Sequence, residues 1–148
     1  MHYVENEYKS LQDNFKSNFE NFLGSLPIKR AELAKLLGIH RATIYYSLND
    51  GSTFSWDLMV KISILIPNFS IDSIRYGTTS FFSPQKPRTK KLIEYITNEL
   101  HLQVKQVSKD TGLSESYVRA ILFHGFEPND EALDLFMKNY GGFVAYTK

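Results

Sequence analysis

The chain of 148 residues has no cysteine, a single tryptophan and no long apolar run. Without cysteine, the protein has no disulfide framework, no thiol nucleophile and no zinc site with cysteine ligands. The longest apolar run, Ile62 to Pro67, is too short to cross a bilayer, and residues 1–5 lack the features of a secretory signal. We therefore expect a globular cytoplasmic protein that has no membrane partner.

An excess of charge of one sign is also lacking, since 17 Lys and Arg residues against 16 Asp and Glu residues leave a net charge of +1. The distribution is uneven, because residues 75–91 contain cations and no acid while the rest of the chain is net negative. These cations are Arg75, Lys86, Arg88, Lys90 and Lys91. The pattern predicts a basic linker between two nearly neutral domains.

Motifs typical of catalysis or metal binding are missing from the sequence. The four histidines, His2, His40, His101 and His124, do not have the spacing of metal ligands. The chain contains no glycine-rich phosphate loop and no recognisable grouping of serine, histidine and acid. We therefore expect no enzymatic activity, no metal site and no cofactor.

An internal repeat with an offset of 74 residues organises the chain. Among the identical pairs that it aligns without gaps are Leu26 with Leu100, Lys35 with Lys109, Gly38 with Gly112, Leu48 with Leu122, and Gly51 with Gly125. Similar apolar residues align at further positions, including Leu33 with Val107, Ile44 with Val118, and Ile62 with Phe136. The repeat predicts a first copy within residues 1–77 and a second copy within 92–148, joined by a linker over 78–91.

Apolar residues step by three and four within each copy, which is typical of short helices, and strict alternation is absent. In the first copy we predict helices over about 4–23, 30–37 and 40–48, and a fourth helix that starts after Ser55. Ser55 and Asn129 are the predicted N-caps of the fourth helix in the two copies. Gly38 and Gly112 each follow a short helix and would let the chain reverse sharply. The expected fold is all-α, with two tandem helix-turn-helix domains.

The predicted linker also carries turn-forming and aromatic residues. The segment from Gly77 to Thr89 is rich in proline, serine and threonine, which favours a domain boundary. Phe81 and Phe82 lie inside this segment and would hold part of it in place by packing.

The segment Arg30 to Ile39, with the sequence RAELAKLLGI, is followed by Thr43, Ile44 and then Leu48-Asn49-Asp50-Gly51. The small Ala34 permits close helix crossing and Gly38 makes the turn between the helices. This pattern resembles the lambda-repressor-like helix-turn-helix family of phage repressors. The second copy resembles the same family through Val107 to Val118, although it has Val104 where the first copy has Arg30.

The resemblance implies that the second helix of each motif lies in the major groove of double-stranded DNA, where its early residues meet base edges. In the first copy these residues are His40, Arg41, Ala42, Tyr45, Tyr46 and Asn49. In the second copy they are Ser114, Glu115, Ser116, Arg119 and Ala120. The cations implied to contact phosphates are Lys29, Arg30, Lys86, Arg88, Lys90 and Lys91.

The chemistry of these side chains suits base recognition. Arg41 or Arg119 could donate two hydrogen bonds to a guanine, and Asn49 could pair with an adenine. Glu115 could accept from a cytosine or pair with Arg119, four residues further along the helix. Ser114 would cap its own helix.

The N-terminal helix has an apolar stripe that extends beyond the repeat. Phe19 and Phe22 correspond to Ile93 and Ile96 of the second copy and are expected in the core. The earlier members of the stripe, Tyr8, Leu11 and Phe15, have no equivalents there, because the second copy begins at residue 92. They form either a homodimerisation arm or a helix that folds back onto the linker.

Two functions remain open from the sequence. The first is a transcriptional regulator of the phage or mobile-element repressor type, associated with the nucleoid of a bacterial or phage-infected cell. In that case both copies read DNA, or the first copy reads DNA while the second holds another protomer or a protein partner. The second is a protein-interaction adaptor or antitoxin-like partner, which the near-neutral charge favours.

Overall fold

The computed structural model describes residues 4–44, 56–77 and 80–141. In chain order its helices are α1 (Glu5–Ser25), α2 (Arg30–Leu37), α3 (Trp56–Leu65), α4 (Ile71–Tyr76), α5 (Pro87–Glu94), α6 (Val104–Thr111), α7 (Glu115–Phe123) and α8 (Asp130–Asn139). Residues 41–44 are also helical, and α5 continues as the π-helical turn Tyr95–Glu99. Among these residues, no helix combines the length and apolar character needed to cross a membrane.

The all-α prediction is confirmed for the described ranges, where β-type pairing is limited to one bridge between Phe69 and Phe82. The predicted helix over 30–37 coincides with α2, and the fourth predicted helix is α3. Most of the predicted helix over 40–48, and the predicted cap Ser55, lie outside the described residues.

The described chain divides into two compact units. The N-terminal unit comprises Met1–Leu65 with Phe69–Ser83, and the C-terminal unit comprises Ile66–Asn68 with Pro84–Lys148. Helix α5 begins at Pro87, which lies inside the segment 78–91 that the sequence predicts as a linker. Pro87 occupies the first turn of α5, where its fixed φ suits a helix and its missing N–H costs no hydrogen bond.

Phe22 is the centre of an aromatic core in the N-terminal unit. Its fully buried ring lies 4.9 Å from the ring of Phe69, 5.5 Å from that of Phe81 and 5.9 Å from that of Phe82. The Ser70 amide also donates to the Phe81 carbonyl at 2.8 Å. The prediction that Phe81 and Phe82 hold part of the linker segment in place is confirmed.

Helix α1 packs along α4 and fixes the end of that helix. The Asn18 side-chain amide donates to the Ile74 carbonyl at 3.0 Å, and α4 then ends at Gly77 in the left-handed conformation with a φ of 65°. The Ser70 hydroxyl caps the other end of α4 by accepting from the Ser73 amide at 3.3 Å.

Buried and half-buried polar side chains hold the loop between α7 and α8 in the C-terminal unit. The Asn68 side-chain amide donates to the Gly125 carbonyl at 2.8 Å. The Gln85 side-chain amide donates to the carbonyls of Ile121 at 2.9 Å and Phe126 at 2.7 Å. The loop backbone is thus satisfied by side chains that are distant in sequence.

Glu127 lies at the centre of this network and is 5% exposed. Its carboxylate accepts from the Lys86 amide at 3.0 Å and from the Thr89 hydroxyl at 2.5 Å. Its own amide donates to Asn68 Oδ1 at 2.9 Å. Because Lys86 is the N-cap residue of α5, the negative charge lies at the positive end of that helix.

The offset of 74 residues reappears in the bounds of the helices. Arg30–Leu37 and Val104–Thr111 begin and end at equivalent residues, and so do Trp56–Leu65 and Asp130–Asn139. Several equivalent apolar pairs are fully buried in both copies, namely Phe22 with Ile96, Leu33 with Val107, Ile44 with Val118, and Ile62 with Phe136. The repeated residues therefore build equivalent helices and equivalent core positions.

Candidate nucleic-acid interface

A tight turn follows α2 in the first copy. Gly38 takes the left-handed conformation with a φ of 68°, and the Ile39 amide donates back to the Ala34 carbonyl at 3.0 Å. The next helical segment begins directly after His40, whose carbonyl accepts from the Thr43 amide at 2.9 Å. Ala34 is buried, which allows the two helical segments to approach closely. The reversal predicted at Gly38 is confirmed.

The residues that begin the second helical segment differ in exposure. His40 and Arg41 are exposed, whereas Ala42 is half-buried. Both exposed side chains therefore lie at the surface of the N-terminal unit. The other predicted base-contacting residues of the first copy, Tyr45, Tyr46 and Asn49, lie outside the described residues.

A shallow groove of about 450 Å³, which we call the first groove, lies at the start of α2. Its cationic lining residues are Lys29, Arg30 and Arg41, and no acid occurs among its lining residues, all of which are described. Lys29 is the N-cap residue and its side chain does not cap the helix. Since the first amides of a helix point outward with a partial positive charge, the first groove has the electrostatics of an anion site.

The second copy repeats the tight turn with its own hydrogen bonds. Gly112 is left-handed with a φ of 78°, and its amide donates to the Ser108 carbonyl at 2.8 Å. Ser114 caps α7 by accepting from the Tyr117 amide at 3.3 Å, which confirms the predicted cap. Asn129 likewise caps α8 by accepting from the Ala132 amide at 2.9 Å, as predicted.

The predicted base-contacting residues of the second copy do not all reach the surface. Glu115 and Arg119 are exposed, and Ser114 and Ser116 are half-buried. Ala120 is fully buried, so its expected place among the base contacts is wrong. Ala120 follows Arg119 by about 100° around the helix, which turns its methyl group into the core.

A groove equivalent to the first, which we call the second groove, lies at the start of α6 and measures about 480 Å³. Its lining residues are Thr97, Leu102, Gln103, Val104, Lys105, Glu115, Arg119 and Phe123. At the offset of 74, Gln103 replaces Lys29, Val104 replaces Arg30 and Glu115 replaces Arg41. The two grooves share their position in the fold but differ in charge, since the first is lined by three cations and no acid and the second by two cations, Lys105 and Arg119, and the acid Glu115.

The predicted linker cations lie along α5. Lys86 is its N-cap residue, and Arg88, Lys90 and Lys91 follow within the helix. All four residues are exposed. They form a basic helical surface within the segment that the sequence predicts as a linker.

Sequence reasoning named the first-groove cations but not the groove itself, and it missed Phe123 in the second groove. Phe123 is 63% exposed at the end of α7. An apolar residue at a helix end gives no local signal of exposure, because the same pattern also suits a core position.

Comparisons of the chain with family models, curated proteins and solved structures found no match. The resemblance to lambda-repressor-like helix-turn-helix proteins therefore depends on the residue pattern of the two motifs.

Proposed function

We propose that the protein is a sequence-specific regulator of transcription that binds double-stranded DNA as phage or mobile-element repressors do. The first copy is the reader in this proposal. The observation that carries it is the first groove, whose lining contains three cationic side chains and no carboxylate, while Glu32 in the first turn of α2 lies outside that lining. Neutralising phosphates in this way supplies the sequence-independent part of DNA affinity.

The geometry of the first copy supports a division of roles. A backbone phosphate in the first groove would accept from the early amides of α2 and from Lys29 and Arg30. That contact would fix the register of the next helix, whose exposed first residues are His40 and Arg41. Arg41 is then the candidate for reading guanine, because its guanidinium can donate two hydrogen bonds to one base.

The second copy contributes less to DNA affinity in this proposal. Its groove has no cation at the positions equivalent to Lys29 and Arg30. Its lining contains the cations Lys105 and Arg119, together with Glu115, which would repel a phosphate. Arg119 remains exposed and can still contact DNA. The basic surface of α5, formed by Lys86, Arg88, Lys90 and Lys91, would add phosphate contacts without sequence preference.

The direct test is selection of bound duplexes from a random DNA pool at near-physiological salt. We expect a motif to be enriched, and Arg41→Ala to weaken binding to it by about 1–3 kcal/mol. Lys35→Ala is the matched control, because Lys35 is an exposed cation in the last turn of α2 and lies outside the first groove. Equal losses in both variants would show a nonspecific charge effect and contradict the role of Arg41.

The second groove offers a gain-of-function test. Gln103→Lys, Val104→Arg and Glu115→Arg together give the second groove the cations of the first. We expect the triple variant to bind duplex DNA more tightly and with a steeper dependence on salt. Unchanged affinity would contradict the assignment of the first groove as a phosphate site.

One observation favours the alternative function, a protein-interaction adaptor or antitoxin-like partner. The second groove is lined by Leu102, Val104 and the exposed Phe123, which suits a protein surface better than a phosphate. This function predicts no duplex binding even at low salt, and no effect of Arg30→Ala or Arg41→Ala. Measuring duplex affinity at low salt with both variants separates the two functions.

A further inference from the structure

The outward face of α3 carries an apolar stripe that remains largely exposed. Trp56, Val60 and Ile64 follow one another at intervals of four residues and are 54%, 38% and 64% exposed. The opposite face of α3 is buried in the N-terminal unit through Leu58, Met59, Ile62 and Leu65. A helix with apolar residues on both faces is usually buried on both faces by other parts of the protein or by a partner.

The second copy shows that the fold itself does not require this stripe. At the offset of 74, the equivalents of Trp56, Val60 and Ile64 are Asp130, Asp134 and Lys138, and all three are exposed. The same helix, with the same bounds relative to the repeat, thus presents charges to solvent in one copy and apolar groups in the other. The difference indicates that the stripe on α3 has a function in association.

We propose that the stripe binds the same stripe of a second copy of this chain, with the two α3 helices antiparallel. A two-fold axis beside Val60 would place Trp56 of each chain opposite Ile64 of the other. Asp57 and Lys61 are exposed on one flank of the stripe, and the same axis would bring Asp57 of each chain near Lys61 of the other. This self-complementary charge pattern is the reason for assigning a second copy as the occupant.

The size of the stripe sets the strength of the association. Its three side chains would bury on the order of 300 Å² in each chain, which is less than the roughly 800 Å² per partner of a standard stable interface. We therefore infer a weak, reversible dimer. The inference does not depend on DNA reading, because the contact involves neither groove.

Sedimentation equilibrium of the full chain without DNA tests the proposal over concentrations from about 1 to about 500 µM. The weight-average mass is expected to rise from 17.1 kDa toward twice that value. Val60→Asp, which introduces the residue found at the equivalent position of α8, should weaken association at least about tenfold. The double variant Tyr8→Ser, Leu11→Gln changes the exposed apolar residues of α1 instead and should leave the mass unchanged.

A charge-reversal experiment tests the antiparallel arrangement and is insensitive to small losses of folding stability. Asp57→Lys alone and Lys61→Asp alone should each associate more weakly than the unmodified chain, because like charges then meet across the axis. An equimolar mixture of the two variants should associate more tightly than either variant alone.

Three results would overturn the proposal: a monomeric chain at the highest concentration, association that Val60→Asp leaves intact, or association lost in the α1 double variant. A mixture of the charge variants that associates no better than its components would overturn the antiparallel geometry.

Discussion

Replacement of Glu127 by alanine should selectively destabilise the C-terminal unit. The Glu127 carboxylate is buried and accepts from the Lys86 amide and the Thr89 hydroxyl at the start of α5. Thr89 is itself only 2% exposed, so water cannot readily replace the lost partner. The substitution therefore leaves polar groups unsatisfied in the interior and removes a negative charge from the positive end of a helix.

The expected cost is about 3 kcal/mol. An unsatisfied buried donor costs roughly 1–3 kcal/mol, and loss of a negative charge at the positive end of a helix costs about 0.3–1 kcal/mol. Because domains of this size are stable by only about 5–15 kcal/mol, such a change removes a large part of the stability of the C-terminal unit. Glu127→Gln should cost less, since the amide keeps the shape and one acceptor oxygen.

Native-state hydrogen exchange measured by mass spectrometry provides the assay, because it reports on each helix separately. Peptides that cover α5 and α7 should lose protection by roughly a hundredfold, which corresponds to the expected free energy. Glu131→Ala removes an exposed acid from the first turn of α8 and is the matched control, with an expected effect below about 1 kcal/mol. A loss of protection below about fivefold in Glu127→Ala would refute the assigned role of the carboxylate.

Two further predictions concern the second copy. Gly112→Ala should lower the free energy of unfolding of the second copy by about 1 kcal/mol, measured in urea. A Cβ at Gly112 would meet no atom within 4 Å, but the φ of 78° is strained for alanine. Gly112→Asn should cost less, because asparagine tolerates this φ better, and equal costs would contradict backbone strain as the cause. Burial raises the pKa of Tyr117 to about 12 from its ordinary value of 10.0, so its contribution to stability is complete below pH 10 and is lost as the pH rises through about 12. Phenolate absorbance should therefore rise together with unfolding of the unit, and Tyr117→Phe should reduce the alkaline loss of stability; an unchanged alkaline transition would contradict this assignment.

The helix bounds that could be predicted are those with a local chemical signal. Gly38 ends α2 where predicted because only a residue tolerant of positive φ can make that reversal. Helix α1 extends to Ser25, two residues beyond the predicted end at 23, and ends where Leu26 becomes extended before Pro27. Proline disfavours a helical conformation in the residue before it, so Pro27 is the sequence signal that ends α1 before Leu26.

The start of α5 was harder to predict, because proline and cations suit both a linker and a helix start. Pro87 lies in the first turn of α5, directly after the N-cap residue Lys86. The Glu127 carboxylate accepts from the Lys86 amide across 41 residues of sequence. Local patterns cannot reveal such contacts, since they depend on how distant segments pack.

The candidate site could be predicted in composition but not in shape. Lys29, Arg30 and Arg41 were identifiable as cations of the motif, yet only the fold shows that they line one groove. The repeat then supplies an internal comparison, since Gln103, Val104 and Glu115 occupy the same positions in a groove of similar size. The contrast in charge between the grooves is stronger support for an anion site than the cations alone.

The two proposals together determine what arrangement of DNA half-sites the selection experiment should recover. If two copies within one chain both read DNA, the selected sequence need not be palindromic, because the copies differ in their reading residues. If only the first copy reads and α3 pairs two chains about a two-fold axis, the selected half-sites should form an inverted repeat. In that case Val60→Asp should shift selection to single half-sites of lower affinity, because each reader then loses the effective concentration that its partner provides. An inverted repeat that persists in Val60→Asp would show that the two readers are joined through a surface other than α3.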